Sequence, residues 1–550
     1  MGAEVYYVTT PIYYVNDVPH LGHAYTTVAA DFISRFRRLQ GRRVHFLTGT
    51  DEHGVKLVRT AEAKGLTPEE WLEQIVPRWH EVWAALDITH DDFIRTTEER
   101  HEKPVQAFVQ ALHDKDEIYL GTYEGLYCVG CEAFKMPDEL VDGKCPLHGV
   151  EPEHVEEENY FFRLSNYQGR LIEWYESDPR SVMPESRRNE VLGKVNQGLD
   201  DLSISRVSFE WGIPIPWDPK HVIYVWIDAL QNYTTAVGYG MDEQRFARVW
   251  PADVHLIGKD ILWFHAVVWP AMLMAQGLDL PRTVYAHGFL QVGGEKMSKS
   301  KATGISPHEL IATFGSDAYR YYFMREISFG QDGEFSWESM LSRYNSDLAN
   351  DLGNLASRAL TMINRYVDGL IPKPPAEDEV APPDAALMET YHSSFARMSQ
   401  AIDDFALREA LEAIWVFVRK TNAYVEEVAP WALAKQDDER RRLEVVLYVL
   451  ADALRLTALT LFPIVPKAAQ EIWKRLGLEG SIGDHTFSED GGWGLVPTGA
   501  AVEVGAPLFP RLEEENPDSA LGGAIENPDS ALGGAIENPD SARGRTTESG

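Results

Sequence analysis

The beginning of the chain passes from a strand-like to a helix-like pattern of hydrophobic positions. Residues 5–8 are all β-branched or aromatic, which favours a buried strand. Asn16, Asp17 and Pro19 then interrupt the pattern, as residues in turns do. Residues 24–38 carry apolar side chains at helical spacing. The pattern predicts a strand, a turn and a helix, in that order.

The same order of elements returns later. Residues 44–58 indicate a second strand and turn that run into a helix, and residues 222–228 and 254–258 indicate further apolar strands. Alternating strands and helices predict the α/β class, with a Rossmann-like parallel sheet and right-handed crossovers. Ligands of such sheets bind beyond the carboxyl ends of the strands, where we expect His20 and Asp51.

The second half of the chain has a different periodicity. From residue 346 onward the apolar positions follow only the helical repeat, and residues 445–462 are the most apolar stretch, interrupted by Asp452 and Arg455. The proline-rich and acidic residues 371–383 indicate a loop between two helices. We therefore expect an all-α helix bundle after the α/β domain.

The last part of the chain is a repeat with few apolar residues. The segment 515–525 is repeated at once from residue 526, and a third copy begins at residue 537. A segment rich in glycine, proline and acidic residues cannot bury enough surface to offset the entropy of ordering. We expect this tail to be disordered.

Composition and charge narrow the class of protein. The 550 residues are 44% hydrophobic and 25% charged, which is ordinary for a globular protein with several domains. The formal net charge of −34 argues against non-specific binding to nucleic acid, because neutralising phosphates requires local lysine and arginine. Arginines cluster at residues 35–43, 187–188 and 440–442, and each cluster is either a binding surface or a solvated face.

The sequence predicts neither an export signal nor a membrane span. Met1 leads directly into the first strand, without a basic segment followed by an apolar one. Apolar runs such as residues 267–275, which contain Pro270, are far shorter than the ~20 residues that a spanning helix needs. We therefore expect a cytoplasmic enzyme with no membrane partner.

The start of the first predicted helix carries candidate phosphate-binding residues. Gly22 lies where unpaired backbone N–H groups and the helix dipole attract anions, and a side chain there would block a close approach. His20 and His23 are three residues apart, so both can donate to one phosphate chain. The alternative is a pair of helix-capping histidines without a ligand. Asp51 is likewise either a helix cap or a carboxylate that faces a substrate ammonium.

All three cysteines lie in one short window that also contains a histidine. Cys128 and Cys131 form one pair, Cys145 and His148 a second, and both pairs have the spacing of ligands in a closed tetrahedral zinc site. The alternative is a redox-active dithiol, which would leave the third cysteine and the histidine without a role. The pattern favours one structural Zn²⁺ ion, since no ligand position stays open for water.

A basic motif far along the chain completes the candidate chemistry. Residues 296–300, Lys-Met-Ser-Lys-Ser, follow Gly293 and Gly294 and supply two lysines, although such a pentapeptide alone is usually a solvated loop. We call residues 20–23 the histidine signature and residues 296–300 the lysine signature. Together they resemble the two signatures of class I aminoacyl-tRNA synthetases, with Leu21 in place of the usual isoleucine.

Within class I, the chain resembles the methionyl-tRNA synthetases in their bacterial form with a single zinc knuckle. The resemblance runs from residue 5 to about residue 480 and is carried by residues 11–14, 49–54, 224–229 and 257–261. Relatives specific for valine, isoleucine or leucine carry a much larger editing insertion than residues 118–200 can provide.

The resemblance implies a role for each of a set of residues. His20, His23, Lys296 and Lys299 would be catalytic, and ATP would be bound by His20, Gly22, His23, Gly258, Asp260, Lys296 and Lys299. Methionine would be bound by Ile12, Tyr14, Asp51, Trp226, Ala229, Leu230, Tyr233, Ile261 and His265. Aromatic faces suit a polarizable thioether, and Asp51 would pair with the amino group.

The resemblance also implies an anticodon-binding site in the helix bundle, at Asn354, Arg358 and Trp431. Splayed bases stack on aromatic rings and are read on their edges, which suits an exposed tryptophan beside an amide and a guanidinium. The alternative for Trp431 is a buried residue at a helix start.

The implied activity is that of a methionine–tRNA ligase. Such an enzyme activates L-methionine with ATP and Mg²⁺, and transfers the methionyl group to the 3′ end of tRNA(Met). The chain departs from the family pattern at Leu230, where some members have proline, and at residues 301–304, where a glycine usually comes sooner. No C-terminal oligonucleotide-binding barrel is visible after residue 500, so we expect a monomer. A class I nucleotidyltransferase and a non-catalytic RNA-binding paralogue remain as alternatives.

These expectations divide the chain into consecutive segments. They are a first catalytic half (1–117), an insertion with the zinc knuckle (118–200), a second catalytic half with the lysine signature (201–320), a stem-contact linker (321–350), a helical anticodon-binding domain (351–500) and the acidic tail (501–550).

Overall fold

The computed structural model describes residues 5–131, 133–135, 139–207, 210–292, 295–296 and 306–513. The repeats of the tail and the end of the lysine signature, with Lys299, lie outside the described residues, so the expectations about them stay predictions.

A parallel sheet forms the centre of the α/β region. In spatial order its strands are Tyr13–Tyr14, Arg43–Asp51, Val5–Thr9, Val254–Gly258, Val284–His287 and Val182–Met183, and Asp92–Arg95 also pairs with Arg43–Asp51. Every pairing in this sheet is parallel. The α/β class and the parallel sheet predicted from the sequence are confirmed.

The strand Val5–Thr9 lies between two long neighbours. It pairs with Arg43–Asp51 on one side and with Val254–Gly258 on the other. Strands buried in this way contain continuous β-branched and aromatic residues, and Tyr7 and Val8 have no exposed surface. Gly49 permits a close approach between strands, because a Cβ atom there would lie 2.1 Å from the carbonyl oxygen of Ile94.

Helices surround this sheet. The helix Leu21–Leu39 begins at the histidine signature and is buried along most of its length. The other helices of the region are Val55–Ala63, Pro68–Ala85, Glu99–Asp114, Gln168–Ser177, Glu185–Val195, Val225–Leu230, Asn232–Thr235, Glu243–Val249 and Trp269–Gln276, with 3₁₀ turns Leu164–Tyr167 and Lys259–Ile261 and a π-helical turn Phe264–Val268.

The prediction of a single strand over residues 222–228 is wrong. The strand Asp218–Ile223 ends early, and the helix Val225–Leu230 follows it. This strand pairs antiparallel with Ser205–Arg206 and Pro214–Ile215, outside the parallel sheet. A short run of consecutive apolar residues has no periodicity that separates strand from helix, so tertiary packing decides.

A separate antiparallel sheet contains three strands of the insertion and one strand, Leu202–Ser203, that follows it. Its strands are Ile118–Cys128, Ala133–Lys135, Glu153–Phe162 and Leu202–Ser203. In sequence these strands fall between Arg43–Asp51 and Val254–Gly258, which belong to the parallel sheet. The short strand Val182–Met183 also falls in this interval, and it pairs with Val284–His287 at the sheet edge.

In the described residues 306–513, the regular elements are helices apart from one strand, Gly333–Phe335, which pairs with Leu290–Val292. Leu290–Val292 also pairs with Glu295–Lys296. The helices are Pro307–Phe314, Ser316–Glu326, Trp337–Arg343, a π-helical stretch Tyr344–Gly353, Asn354–Tyr366, Pro382–Asp403, Leu407–Val428, Pro430–Leu433, Arg440–Leu461, Pro466–Arg475 and Phe487–Asp490. The predicted helical domain is confirmed, and across the described ranges no helix is long and apolar enough to cross a membrane.

Candidate active site

Three strands of the parallel sheet have their carboxyl ends side by side, and we call this side of the sheet its carboxyl edge. Most of the predicted site lies there. The histidine signature follows Val5–Thr9, Asp51 is the last residue of Arg43–Asp51, and Asp260 follows Val254–Gly258. Carboxyl ends of parallel strands point the same way, so this edge is where ligands of such sheets bind.

The histidine signature is an ordered helix start. His20 is the N-cap residue of Leu21–Leu39, and its Nδ1 accepts a hydrogen bond from the N–H of Gly22 at 3.0 Å. The N–H of His20 donates to Nδ1 of His23 at 3.3 Å, and the two rings stack with centroids 3.6 Å apart. Both capping contacts of the alternative interpretation are therefore present. Because the helix dipole makes this N-terminus positively polarised, the same turn can also attract an anion.

The histidine signature helix contacts the strand that leads to the lysine signature. Thr26, on the helix, lies 2.6 Å from Nε2 of His287, measured from its hydroxyl oxygen. His287 is the last residue of Val284–His287, and the hairpin containing Lys296 follows it. The helix that begins at the histidine signature thus contacts the strand that precedes the lysine signature. The side chain of Lys296 is not described, and Lys299 lies outside the described residues.

Asp51 is buried at the end of its strand, and the two residues that follow it are anchored by hydrogen bonds. The carboxylate of Glu52 accepts hydrogen bonds from Nε of Arg95 at 2.7 Å and from the hydroxyl of Thr97 at 2.5 Å. Nδ1 of His53 lies 2.7 Å from Oδ2 of Asp228. The N-cap of the following helix is Gly54, so the helix-cap alternative for Asp51 is excluded.

Aromatic side chains form a wall next to Asp51. The rings of Trp226 and Phe264 stack with centroids 4.2 Å apart and planes 2° apart. Tyr14, whose strand pairs Tyr14 with Asp51, meets Trp226 edge-on with centroids 6.4 Å apart. The wall offers flat apolar faces beside a buried carboxylate, which suits an amino acid with an apolar side chain.

His265 places one polar group in this apolar environment. Its Nε2 lies 2.7 Å from the hydroxyl of Tyr233, and its Nδ1 lies 3.0 Å from the carbonyl oxygen of Ile261. Burial lowers the pKa of His265 to about 4, although the hydrogen bond to Ile261 acts in the opposite direction. The ring is therefore neutral at physiological pH: Nδ1–H donates to Ile261, and Nε2 accepts from Tyr233.

The other predicted pocket residues lie in or against the hydrophobic core of the α/β region. Ile12, Trp226 and Ile261 are partly buried against it, and Ala229, Leu230 and Tyr233 are buried. Asp260 is exposed at the sheet edge. Sequence reasoning did not identify the stacking of Phe264 on Trp226 or the roles of His53, His101, Asp228 and His287. Isolated histidines have no local pattern that reveals such contacts.

The cysteine-rich segment forms a compact group of metal ligands. The ligand atoms of Cys128, Cys131, Cys145 and His148 all lie within 4.8 Å of one another. Nδ1 of His148 is 3.3 Å from Sγ of Cys131, and Sγ of Cys131 is 3.5 Å from Sγ of Cys145. Because the third cysteine and the histidine converge on the same point, the group can hold a metal ion, and the dithiol alternative is disfavoured.

The predicted anticodon residues lie on two helices of the C-terminal domain. Asn354 and Arg358 are four residues apart on Asn354–Tyr366 and therefore share a face. Nη2 of Arg358 lies 2.6 Å from Oε1 of Glu426, which precedes Trp431 by a few residues. Trp431 is 37% exposed at the start of Pro430–Leu433, so the buried alternative is excluded.

Two family models match the chain. The model of class I tRNA synthetases (M) matches residues 6–154 and 136–360, and the model of the anticodon binding domain of methionyl tRNA ligase matches residues 374–520. With the parallel sheet and the ordered histidine signature, these matches define a class I aminoacyl-tRNA synthetase.

Individual relatives narrow this class. The methionine–tRNA ligase of Streptomyces coelicolor is 53% identical over 529 residues, which cover 94% of this chain and 98% of the relative. That of Thermotoga maritima is 44% identical, over 93% of this chain and 81% of the relative. A solved structure of Mycobacterium tuberculosis methionyl-tRNA synthetase in complex with methionyl-adenylate superposes with a TM-score of 0.88 at 42% identity, covering 92% of this chain and all of that one. The chain belongs to the methionine–tRNA ligase family.

Proposed function

We propose that the chain activates L-methionine with ATP, giving methionyl-adenylate and pyrophosphate, and then transfers the methionyl group to the 3′ end of tRNA(Met). The observation that carries this proposal is the meeting of a helix N-terminus, a buried carboxylate and an aromatic wall at one edge of the parallel sheet. Each has the chemistry of one part of the substrates: phosphate, ammonium and thioether.

In this proposal, methionine lies against the aromatic wall. Asp51 pairs with its ammonium, and Ile12, Tyr14, Trp226, Ala229, Leu230, Tyr233, Ile261 and His265 surround its side chain. The neutral His265 suits this role, since a charged imidazolium would be costly in an apolar pocket. The Tyr233–His265 hydrogen bond fixes the orientation of the ring.

ATP lies across the sheet edge. His20 and His23 hold its phosphates, and Gly22 leaves room for their close approach. Gly258 and Asp260 contact ATP, with Asp260 at the ribose, and Lys296 and Lys299 bind the pyrophosphate that leaves. Mg²⁺ accompanies the phosphates. The methionine carboxylate attacks the α-phosphorus, so no side chain of the protein needs to act as a nucleophile. Catalysis then comes from positioning and from donors aimed at the developing charge.

The remaining sites serve structure and tRNA recognition. Cys128, Cys131, Cys145 and His148 hold a structural Zn²⁺, whose soft thiolate ligands suit that ion. Asn354, Arg358 and Trp431 bind the anticodon, with Trp431 as the stacking surface.

The test is ATP–pyrophosphate exchange with each of the twenty amino acids. Of the twenty, we expect only methionine to support exchange, and we expect charging of tRNA(Met) in the complete reaction.

A Lys299→Ala variant should lose ~10²-fold or more in exchange while it still binds methionine, since it removes one donor to the phosphates. Exchange without any charging of tRNA would instead support a nucleotidyltransferase, and no exchange would support an RNA-binding paralogue.

A further inference from the structure

A buried carboxylate outside the proposed substrate contacts is hydrogen-bonded by two histidines. Oδ2 of Asp228 lies 2.7 Å from Nδ1 of His53, and Oδ1 lies 2.7 Å from Nε2 of His101. The side chains of Asp228 and His101 have no exposed surface, and that of His53 is 6% exposed. A carboxylate accepts only, so both ring nitrogens carry their hydrogens and donate.

The charges of this group agree with its geometry. Burial raises the pKa of Asp228, but the charge of His53 and the hydrogen bonds from both histidines outweigh burial, so the pKa is lowered overall. In the same way, burial lowers the pKa of His53 while Asp228 raises it, and the net shift is upward. Asp228 therefore stays ionised in the interior of the protein, where an ion needs compensating partners.

The elements joined by this group are those that carry the proposed methionine contacts. His53 is two residues after Asp51, and Asp228 lies on Val225–Leu230, which also carries Trp226, Ala229 and Leu230. The other ring nitrogen of His101, Nδ1, lies 2.8 Å from the hydroxyl of Thr235. Thr235 belongs to the same short helix as Tyr233, another proposed methionine contact.

The two residues that follow Asp51 are both anchored. The carboxylate of Glu52 is bonded to Arg95 and Thr97, and the ring of His53 is bonded to Asp228. These bonds fix the backbone at the end of the strand relative to the helix that carries Trp226. The position of the strand end relative to this helix sets the distance between the carboxylate of Asp51 and the aromatic wall. An error of about 1 Å in such a distance costs up to ~10²-fold in activity.

We propose that Asp228, held between His53 and His101, is a positioning residue that sets the spacing between Asp51 and the methionine side-chain pocket. This inference rests on the proposed function, because it assigns Asp51 to the ammonium and Trp226 to the side chain. Asp228 contacts no substrate itself, and its effect reaches methionine through the two backbone segments that it joins.

The main test is an Asp228→Asn variant, which keeps the shape of the side chain and removes its charge. We expect the KM for methionine in ATP–pyrophosphate exchange to rise about tenfold or more, and the KM for ATP to stay within about twofold. A merely structural role would lower the melting temperature without this separation of the two KM values, and that result would overturn the proposal.

Asp452→Asn is the matched control. Asp452 is also a fully buried carboxylate, bonded to Arg455 at 2.6 Å, but it lies in the helical domain on Arg440–Leu461. We expect it to lose stability and to keep the KM for methionine. If Asp452→Asn raises that KM as much as Asp228→Asn does, the effect is global and the proposal is wrong.

A second pair of variants tests the hydrogen bond itself, and it applies even if Asp228→Asn does not fold. In His53→Asn, the side-chain amide nitrogen can take the place of Nδ1 and donate to Asp228, whereas His53→Leu offers no donor. We expect His53→Asn to keep the KM for methionine within about threefold of the wild type and His53→Leu to raise it about tenfold. Equal KM values in the two variants would overturn the proposal.

Asp51→Asn separates this inference from the proposed function. If Asp51→Asn raises the KM for methionine and Asp228→Asn does not, the assignment of Asp51 is supported and the positioning role is wrong. If neither variant changes that KM, then the assignment of the methionine pocket fails, and the positioning role fails with it.

Discussion

Arg320 and Asp31 form an ion pair, with 2.7 Å between Nη2 and Oδ2, in which neither side chain has exposed surface. Asp31 lies on the helix that begins at the histidine signature, and Arg320 lies on Ser316–Glu326. The guanidinium also donates to the carbonyl oxygens of Pro463 and Ile464, at 2.8 and 3.0 Å. A single arginine therefore connects the helix of the proposed phosphate site to the helical domain.

Replacing Arg320 with methionine should strongly destabilise the protein. The substitution leaves Asp31 buried with less compensation, and removing one partner of a buried pair costs about 3–5 kcal/mol. Burial raises the pKa of Asp31, but the charges of Arg35 and Arg320 lower that pKa by a larger amount. The Asp31 carboxylate therefore stays ionised. The measurement is the free energy of unfolding in urea.

Lys420→Met provides the control for that loss. Lys420 pairs with Glu427 at 3.5 Å, and the two side chains are 32% and 50% exposed, so water solvates both charges and the change should stay within about 0.5 kcal/mol. If Arg320→Met costs no more than Lys420→Met, the buried pair contributes nothing to stability.

The pH dependence of stability should contain a contribution from His265. Its pKa is about 4 in the folded protein and 6.5 ordinarily, so the unfolded chain binds the proton first as the pH falls. Stability from this group is full above pH 6.5 and is lost as the pH falls toward 4. Between pH 7.5 and 5 the loss is about 2 kcal/mol.

The comparison is with His265→Gln, which cannot titrate in this range. Between pH 7.5 and 5, the free energy of unfolding in urea should fall by about 2 kcal/mol less for the variant than for the wild type. Identical pH profiles would mean that His265 has the same pKa in the folded and the unfolded protein, and the lowering of its pKa by burial would be wrong.

Trp431→Ala should separate the two steps of the reaction. If Trp431 stacks on an anticodon base, its loss costs about 1–3 kcal/mol, which lowers kcat/KM for tRNA about 5–150-fold. ATP–pyrophosphate exchange should stay unchanged, because it needs no tRNA. Trp431→Phe, which keeps an aromatic face, should recover most of the charging activity. Equal losses of exchange and charging would assign Trp431 a structural role.

Removal of the metal should unfold the knuckle locally. The purified chain should contain one Zn²⁺, and a Cys131→Ser variant or a chelator should release it. Hydrogen exchange should then accelerate in Ile118–Cys128 and Glu153–Phe162, while Val254–Gly258 keeps its protection. Faster exchange in the parallel sheet would contradict a local role, and a chain without bound zinc would contradict the metal assignment.

The parts of the site that depend on local sequence were predictable. The run of β-branched and aromatic residues gave Val5–Thr9, and the spacing of the following apolar residues gave the helix Leu21–Leu39. The four predicted metal ligands converge because each Cys/His pair closes within a few residues. In each case, neighbouring residues determine the result.

Other parts depend on contacts between distant residues. The apolar run at residues 222–228 has no period, and the chain forms a helix from Val225 on which Asp228 bonds to the distant His53 and His101. His101 has no distinctive neighbours on its helix, yet it is fully buried against a carboxylate 127 residues away. Composition and periodicity contain no signal for such a pairing.

The order of the strands also matters for the growing polypeptide. The N–H of Tyr7 bonds to the carboxylate of Asp253 at 2.8 Å, across 246 residues of sequence. Val5–Thr9 can pair with Arg43–Asp51 soon after synthesis, but its other side must wait for Val254–Gly258. Unpaired apolar strand edges attract other chains. A nascent chain on the ribosome therefore exposes one such edge throughout translation of the whole insertion.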